Sequence, residues 1–404
     1  MKRFLVGFSF VLPCAAVLIA AETPLYESEF IFDPAAESHG HVHASCIIET
    51  PGRNLLAVWY ENGPALATNY YHGNQDKSDN VRIGGARRMK GRITWEKPFV
   101  MSDTFGLSDN NPAMIIDQQK RLWLFHATLL AVPIRSWESS LLWYKVSSGY
   151  EGPGRPRWER ESILVPRPQD LDDPVIRLTE ELRNKSKDNH RLLAFSDVLK
   201  GRLNDPFARR LGWMPRVHPL ILPDGTLLLP LANETFSVAA MAMTRDGGET
   251  WTTSHVVPGG GVEQPSVVRL KDGRLVAFFR DAGPAHRIRR SESNDGGETW
   301  SEITNTDLPN PGAGIEAAML RNGHLMMIYN DKEHDPRDRL AVSISTDNGK
   351  TWRSRRYLEN KAGGRFDYPS LIESFDGTLH ASYSFNLKTI KHAHFNEAWV
   401  TQGD

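Results

Sequence analysis

The chain has 404 residues, 40% hydrophobic and 24% charged, an ordinary globular composition with ample apolar material for a large core. Its formal net charge of −1 removes any electrostatic case for nucleic acid or an anionic membrane surface as a partner.

Residues 1–21 read as a signal peptide. Lys2-Arg3 form a basic start, residues 4–19 are apolar, and Ala20-Ala21 supply small residues for cleavage. The apolar run is too short and too isolated for a stable spanning helix, so the mature chain, 22–404, is expected to be secreted or periplasmic with no stable membrane insertion. Losing Cys14 leaves Cys46 as the one cysteine, which excludes an internal disulfide; in its apolar strand Cys46 reads as a packing residue.

Residues 26–32 can form a strand that closes a larger structure. His39, His41 and His43 alternate ahead of Cys46, which predicts a strand with one inward-facing histidine. No metalloprotease-type motif accompanies them, and nothing else in the chain calls for a metal or an organic cofactor. A first strand-rich unit runs from residue 43 to about 100, with Asp76 and Asp79 in a polar loop; a second runs from 112 to about 165. Residues 166–211 then break the pattern. They are charged, with helix-like stretches at 175–183 and 191–199, and read as a surface insertion rather than a wall of a cleft.

Beyond the insertion the chain repeats itself. Thr244-Arg-Asp246-Gly-Gly-Glu-Thr250-Trp251 returns as Ser293-Asn-Asp295-Gly-Gly-Glu-Thr299-Trp300 and as Ser345-Thr-Asp347-Asn-Gly-Lys-Thr351-Trp352, the aspartates 49 and 52 residues apart. The aspartate can accept hydrogen bonds from its own turn, glycine supplies a positive φ, and tryptophan buries its ring between units. Half a period away, Asp224-Gly225, Asp272-Gly273, Asn322-Gly323 and Asp376-Gly377 each stand between apolar runs, a strong hairpin signal. Four strands per 40–50 residues make a propeller blade. With degenerate boxes at Trp95 and Trp158, and a last unit from residue 368 to 400, the count is six, with five or seven as the alternatives. The expected fold is therefore an all-β, six-bladed β-propeller in one domain, with a partly helical insertion between blades two and three.

Inner strands of a propeller converge on its axis, so polar residues at their ends can meet. Glu263 opens one such strand and Arg280 ends its partner, where a cation after four apolar residues needs a counter-charge. Arg337 and Tyr368 precede later strands. Arg216 opens the inner strand of blade three and faces either the axis or the insertion. Glu234 and Glu316 could line the same cavity, while Asp246, Asp295 and Asp347 read as structural and peripheral.

The aspartate boxes, the blade count and these polar positions resemble the sialidase (neuraminidase) superfamily over nearly all of the mature chain, particularly residues 214–396. In that family an arginine triad grips the sugar carboxylate, a tyrosine polarised by a glutamate attacks the anomeric carbon, and an aspartate serves as acid and base. The resemblance implies Tyr368, in Asp367-Tyr368-Pro369-Ser370-Leu371, as nucleophile and Glu263 as its activator. It implies Arg280 and Arg337 as the second and third arginines, and Asp76 or Asp79 as the acid. The first arginine opens an Arg-Ile-Pro motif in the family; here His43 stands at that place, in His41-Val42-His43-Ala44-Ser45-Cys46, and can itself be an acid or base. A neutral histidine grips a carboxylate less firmly than a guanidinium fork. The implied function is a secreted, retaining exo-glycosidase removing a terminal acidic sugar, sialic acid or a related one, from a glycan. The alternative is a polysaccharide lyase, or a non-catalytic carbohydrate-binding propeller, directed at uronate-containing glycans.

Overall fold

The computed structural model describes residues 22–35, 39–66, 75–130, 136–185 and 189–402; the expected signal peptide, 1–21, lies outside them. Six antiparallel sheets account for the strands: 43–102, 108–164, 213–253, 262–309, 316–360, and 366–395 joined by Tyr26–Phe30. This is the six-bladed propeller.

Local chemistry builds each blade. In all three aspartate boxes the carboxylate accepts from the backbone N–H and the hydroxyl of the threonine four residues on; the Thr250, Thr299 and Thr351 amides lie 3.0, 3.0 and 2.9 Å away. The Ser or Thr two residues before the aspartate closes the turn by accepting from a glycine amide at 2.8–2.9 Å. The turn of the box is thus closed by partners within a few residues, which explains why the motif survives copying. The Asp-Gly and Asn-Gly turns place their glycines at φ of 87–94°, where a side chain would be strained. Box tryptophans bridge neighbours: Trp251 packs edge-on against Trp123 and Phe125 of blade two, and Trp352 against Phe278 of blade four.

Tyr26–Phe30 pairs antiparallel with Thr389–Phe395, from Tyr26 opposite Phe395 to Phe30 opposite Lys391, so the N-terminal strand closes the ring. The last strand ends at Phe395, short of the expected Val400. Asn396 caps a helix, Glu397–Thr401, that buries Val400 and stacks Trp399 on Tyr26 at 4.4 Å. The insertion forms helices Asp172–Lys185, His190–Arg202 and Pro206–Arg210. Leu171, Val175, Leu199, Leu203 and Ala208 are buried with Trp213, Leu231 and Tyr144 of blades two and three. It is an outer buttress. No helix among the described residues is long and apolar enough to cross a membrane.

Candidate active site

Four inner strands carry the same irregularity. Their register slips between His43 and Cys46, Asn110 and Ala113, Glu263 and Ser266, and Asp367 and Ser370. The slipped residues Ala44, Asn111, Gln264 and Tyr368 sit at φ of 59, 49, 52 and 53°. A bulge with a left-handed residue costs about 1–3 kcal/mol and re-aims side chains. Strand alternation would send Glu263 and Gln264 to opposite faces; here both line one cleft of about 400 Å³ at the axis. The cleft also takes in His41, His43, Tyr60, Asp76, Asn111, Trp137, Glu234, Arg280, Arg337, Arg365 and Tyr368. A residue followed by proline (Asn111-Pro112, Gln264-Pro265, Tyr368-Pro369) marks three of the four bulges in the sequence.

Tyr368 lies at the centre. Its Oη accepts from Arg280 Nη1 at 2.9 Å and from Gln264 Nε2 at 3.0 Å. The His43 ring lies 4.1 Å from its ring, and the Arg216 guanidinium is 4.9 Å from the ring centre. Glu263 was expected to polarise the phenol directly. Instead its Oε2 lies 3.2 Å from Arg280 Nη1, the nitrogen that also contacts the phenol. The guanidinium therefore stands between the two.

A second charge cluster adjoins the first. Arg337 Nη1 donates to Asp367 Oδ2 at 2.9 Å, and Arg337 Nη2 donates to the Gly312 carbonyl at 2.9 Å. Arg365 Nε donates to the same Asp367 oxygen at 3.0 Å. Burial pushes the Asp367 carboxyl up, but His43, Arg337 and Arg365 outweigh it and hold the group below its ordinary range. His43 Nδ1 hydrogen-bonds Ser384 Oγ at 2.8 Å, and burial keeps its imidazole well below the usual value and so neutral. Two histidines face the cleft, not one, because His41 sits on the loop before the strand, free of strand alternation; His39 pairs with Glu61 at 2.8 Å. Among the described residues no group of His, Cys, Asp and Glu could hold a metal ion.

The two loop aspartates part company. Asp76, in the turn Gln75–Lys77, lines the cleft, its backbone carbonyl held by Asn110 Nδ2 at 3.0 Å and Ser108 Oγ at 3.1 Å. Burial raises its carboxyl above the ordinary value. Asp79 is buried and is not among the lining residues. Trp137 adds an aromatic wall, with Lys77 Nζ 5.1 Å from its ring centre, and the insertion reaches this loop through the Arg202–Glu138 pair at 3.3 Å. None of the insertion's described residues lines the cleft.

Arg365 and Trp137 carried no signal beyond their residue type, and Gln264 was marked only by the proline that follows it. Glu234 had been seen only as one possible lining residue. Burial, then the neighbouring Glu263 carboxylate, push the Glu234 carboxyl up to about 8, with Arg280 pulling the other way. The folded state therefore holds this proton far above the ordinary carboxyl value of 4.5. Stability falls as pH climbs from 4.5 towards 8, where only the unfolded chain has released the proton. Glu234→Gln is expected to unfold at a higher temperature than the parent, with a gap that widens over that window and then levels off. Parallel melting curves across the window would remove Glu234 from this role.

Arg216 and Glu316 lie beneath the cleft rather than in its wall. Arg216 is fully buried and donates to the carbonyls of Ser45 at 3.1 Å and Pro369 at 2.9 Å, tying blade three to blades one and six; it contacts the blades, not the insertion. Glu316 accepts from the Leu371 amide at 2.7 Å and pairs with His218 Nδ1 at 2.6 Å. His218 Nε2 lies 3.4 Å from Cys46 Sγ, which also accepts from the Met114 amide, so Cys46 is buried as expected but has polar neighbours. The ring's centre is thus a buried polar network.

The family model of BNR repeat-like domains matches residues 54–381. A sialidase of Micromonospora viridifaciens is 27% identical over 173 residues, 40% of this chain and 26% of that protein. A sialidase of Paraclostridium sordellii is 27% identical over 213 residues, 46% of this chain and 51% of that one. The matches thus span about a quarter and about half of these relatives' own length. A solved sialidase from Streptococcus pneumoniae superposes with a TM-score of 0.64 at 10% identity, covering 91% of this chain and 70% of the other, a likeness of fold.

Proposed function

From the premise that this chain belongs to the BNR-repeat proteins of the sialidase superfamily, we propose that it is a retaining exo-glycosidase with Tyr368 as nucleophile. The observation that carries this is the Tyr368 oxygen held by two donors, one of them the Arg280 guanidinium, at the centre of a polar cleft. The two donors fix the phenol oxygen in the cleft, where it can attack an anomeric carbon. Glu263 shares the Arg280 nitrogen and holds that cation on the phenol oxygen, whose proton leaves to solvent as the oxygen attacks. Asp76, whose carboxyl burial raises, lines the cleft and is the acid of this reading. It gives its proton to the departing glycosidic oxygen, then withdraws one from the water that releases the sugar from Tyr368. Trp137 offers an apolar face for the sugar ring. Whether the sugar bears the carboxylate that the family resemblance implied turns on Arg337 and Arg365, whose charge is already met by Asp367. The signal peptide expected at residues 1–21 would place this activity outside the cytoplasm.

The acid role is tested through the leaving group. Asp76→Ala is expected to slow release of an alkyl aglycone by about 10²–10⁴-fold, and release of an activated aryl aglycone far less. Equal losses on both would assign the acid elsewhere. Product masses test the reaction class: hydrolysis adds one water to the sum of the products, whereas a lyase leaves that sum unchanged.

A further inference from the structure

The arginines of the cleft are already matched by carboxylates of the chain itself. Arg280 is met by Glu263 at 3.2 Å. Arg337 uses both terminal nitrogens internally, on Asp367 and on the Gly312 carbonyl. Arg365 donates its Nε to the same Asp367 oxygen. Asp367 is completely buried, and its other oxygen, Oδ1, has no hydrogen-bond donor. His43 Nδ1 comes within 3.5 Å of Oδ1 but hydrogen-bonds Ser384. A buried carboxylate with two guanidinium partners and an unfilled oxygen occupies the electrostatic position that a substrate carboxylate would otherwise take.

We infer that Asp367 is a built-in stand-in for that substrate group, so that the site takes a sugar that is uncharged where it meets Arg337 and Arg365. The inference rests on the glycosidase reading for its substrate class. Its physical basis is that a second carboxylate brought to Arg337 would face the Asp367 anion and find both terminal guanidinium nitrogens engaged. Like-charge juxtaposition of this kind is how a site rejects a wrong partner. Arg365, with about half its side chain exposed, remains to donate to hydroxyls.

The test uses the full chain and its Asp367→Asn variant, which keeps shape and removes charge, on aryl glycosides of neutral hexoses, 6-deoxyhexoses, uronic acids and sialic acid. For the parent protein the highest kcat/KM is expected on a neutral glycoside, about 100-fold above any acidic one, and Asp367→Asn is expected to shift that ratio towards the acidic sugars by 10-fold or more. A parent preference for an acidic sugar, or a ratio unmoved by the variant, overturns the inference. If no glycoside is cleaved, the glycosidase reading falls, and binding decides the charge question separately. Sialic acid and its methyl ester are titrated calorimetrically into both proteins. The ester is expected to bind the parent at least about 10-fold tighter than the acid, and the variant to close that gap. An acid that binds the parent as tightly as its ester, or no binding of either ligand, overturns the inference. Should Asp367→Asn not fold, the parent's ester-to-acid ratio alone decides.

Discussion

Tyr368→Phe is expected to lower kcat by about 10³-fold or more while leaving KM close to that of the parent protein. The substitution removes one oxygen and leaves the ring, which is packed against His43 and lies beside the Arg216 guanidinium, so the shape of the cleft persists. What disappears is the atom that Arg280 and Gln264 hold. A loss confined to kcat marks an interaction made in the chemical step; a rise in KM alone would mark binding. Single-turnover rates on an aryl glycoside, with ligand binding followed separately, check this. Turnover by the Phe variant within a few-fold of the parent would end Tyr368's role as nucleophile. Glu263→Gln should weaken the same step less, because Glu263 reaches the phenol through Arg280.

The largest effect on stability is expected at Glu316. Its carboxylate joins blade five to His218 of blade three and to the Leu371 amide of blade six, all at the ring's centre. Glu316→Ala leaves a buried imidazole and two backbone donors, the amides of Leu371 and His218, without their acceptor and should cost about 3–5 kcal/mol in urea unfolding. The pH profile adds an independent readout. Burial alone would lower the His218 value, but the Cys46 sulfur and Glu316 reverse this and raise it well above 6.5. A group raised on folding contributes stability that is complete below its unfolded value and is lost as pH climbs through the folded one. The parent should therefore lose stability on the alkaline side of 6.5, and Glu316→Ala should show a flatter alkaline limb. Matching limbs in the two proteins would mean that the pair is not charged.

Both effects follow from side chains that meet only because six blades close into one ring. Legibility in the sequence divides along the same line. The aspartate boxes and the Asp-Gly turns satisfy their hydrogen bonds within a few residues, so their spelling is enough to read a blade, and copies of the spelling are enough to count the ring. The closing strand at residues 26–30 was legible because a ring with one unpaired edge would be incomplete. Tyr368, Glu263, Arg280 and Arg337 could be picked out as polar interruptions near strand ends, and Asp76, with Asp79, as an acid of a polar loop; all but Asp79 line one cleft.

Which of these side chains touches which was not legible. Arg280 and Tyr368 are 88 residues apart, and Gln264 and Tyr368 104 apart. Asp367 is adjacent to Tyr368 in the chain, yet the phenol enters the cleft while the buried carboxylate turns to Arg337 and Arg365. Arg216 looked equally able to face the axis or the insertion, and it lies instead under the cleft floor, bonded to carbonyls of two other blades. Turn chemistry is written locally because its partners are chain neighbours. The charge balance of the cleft is written nowhere along the chain, because it is a sum over side chains from different blades whose separations exist only once the first and last strands have paired.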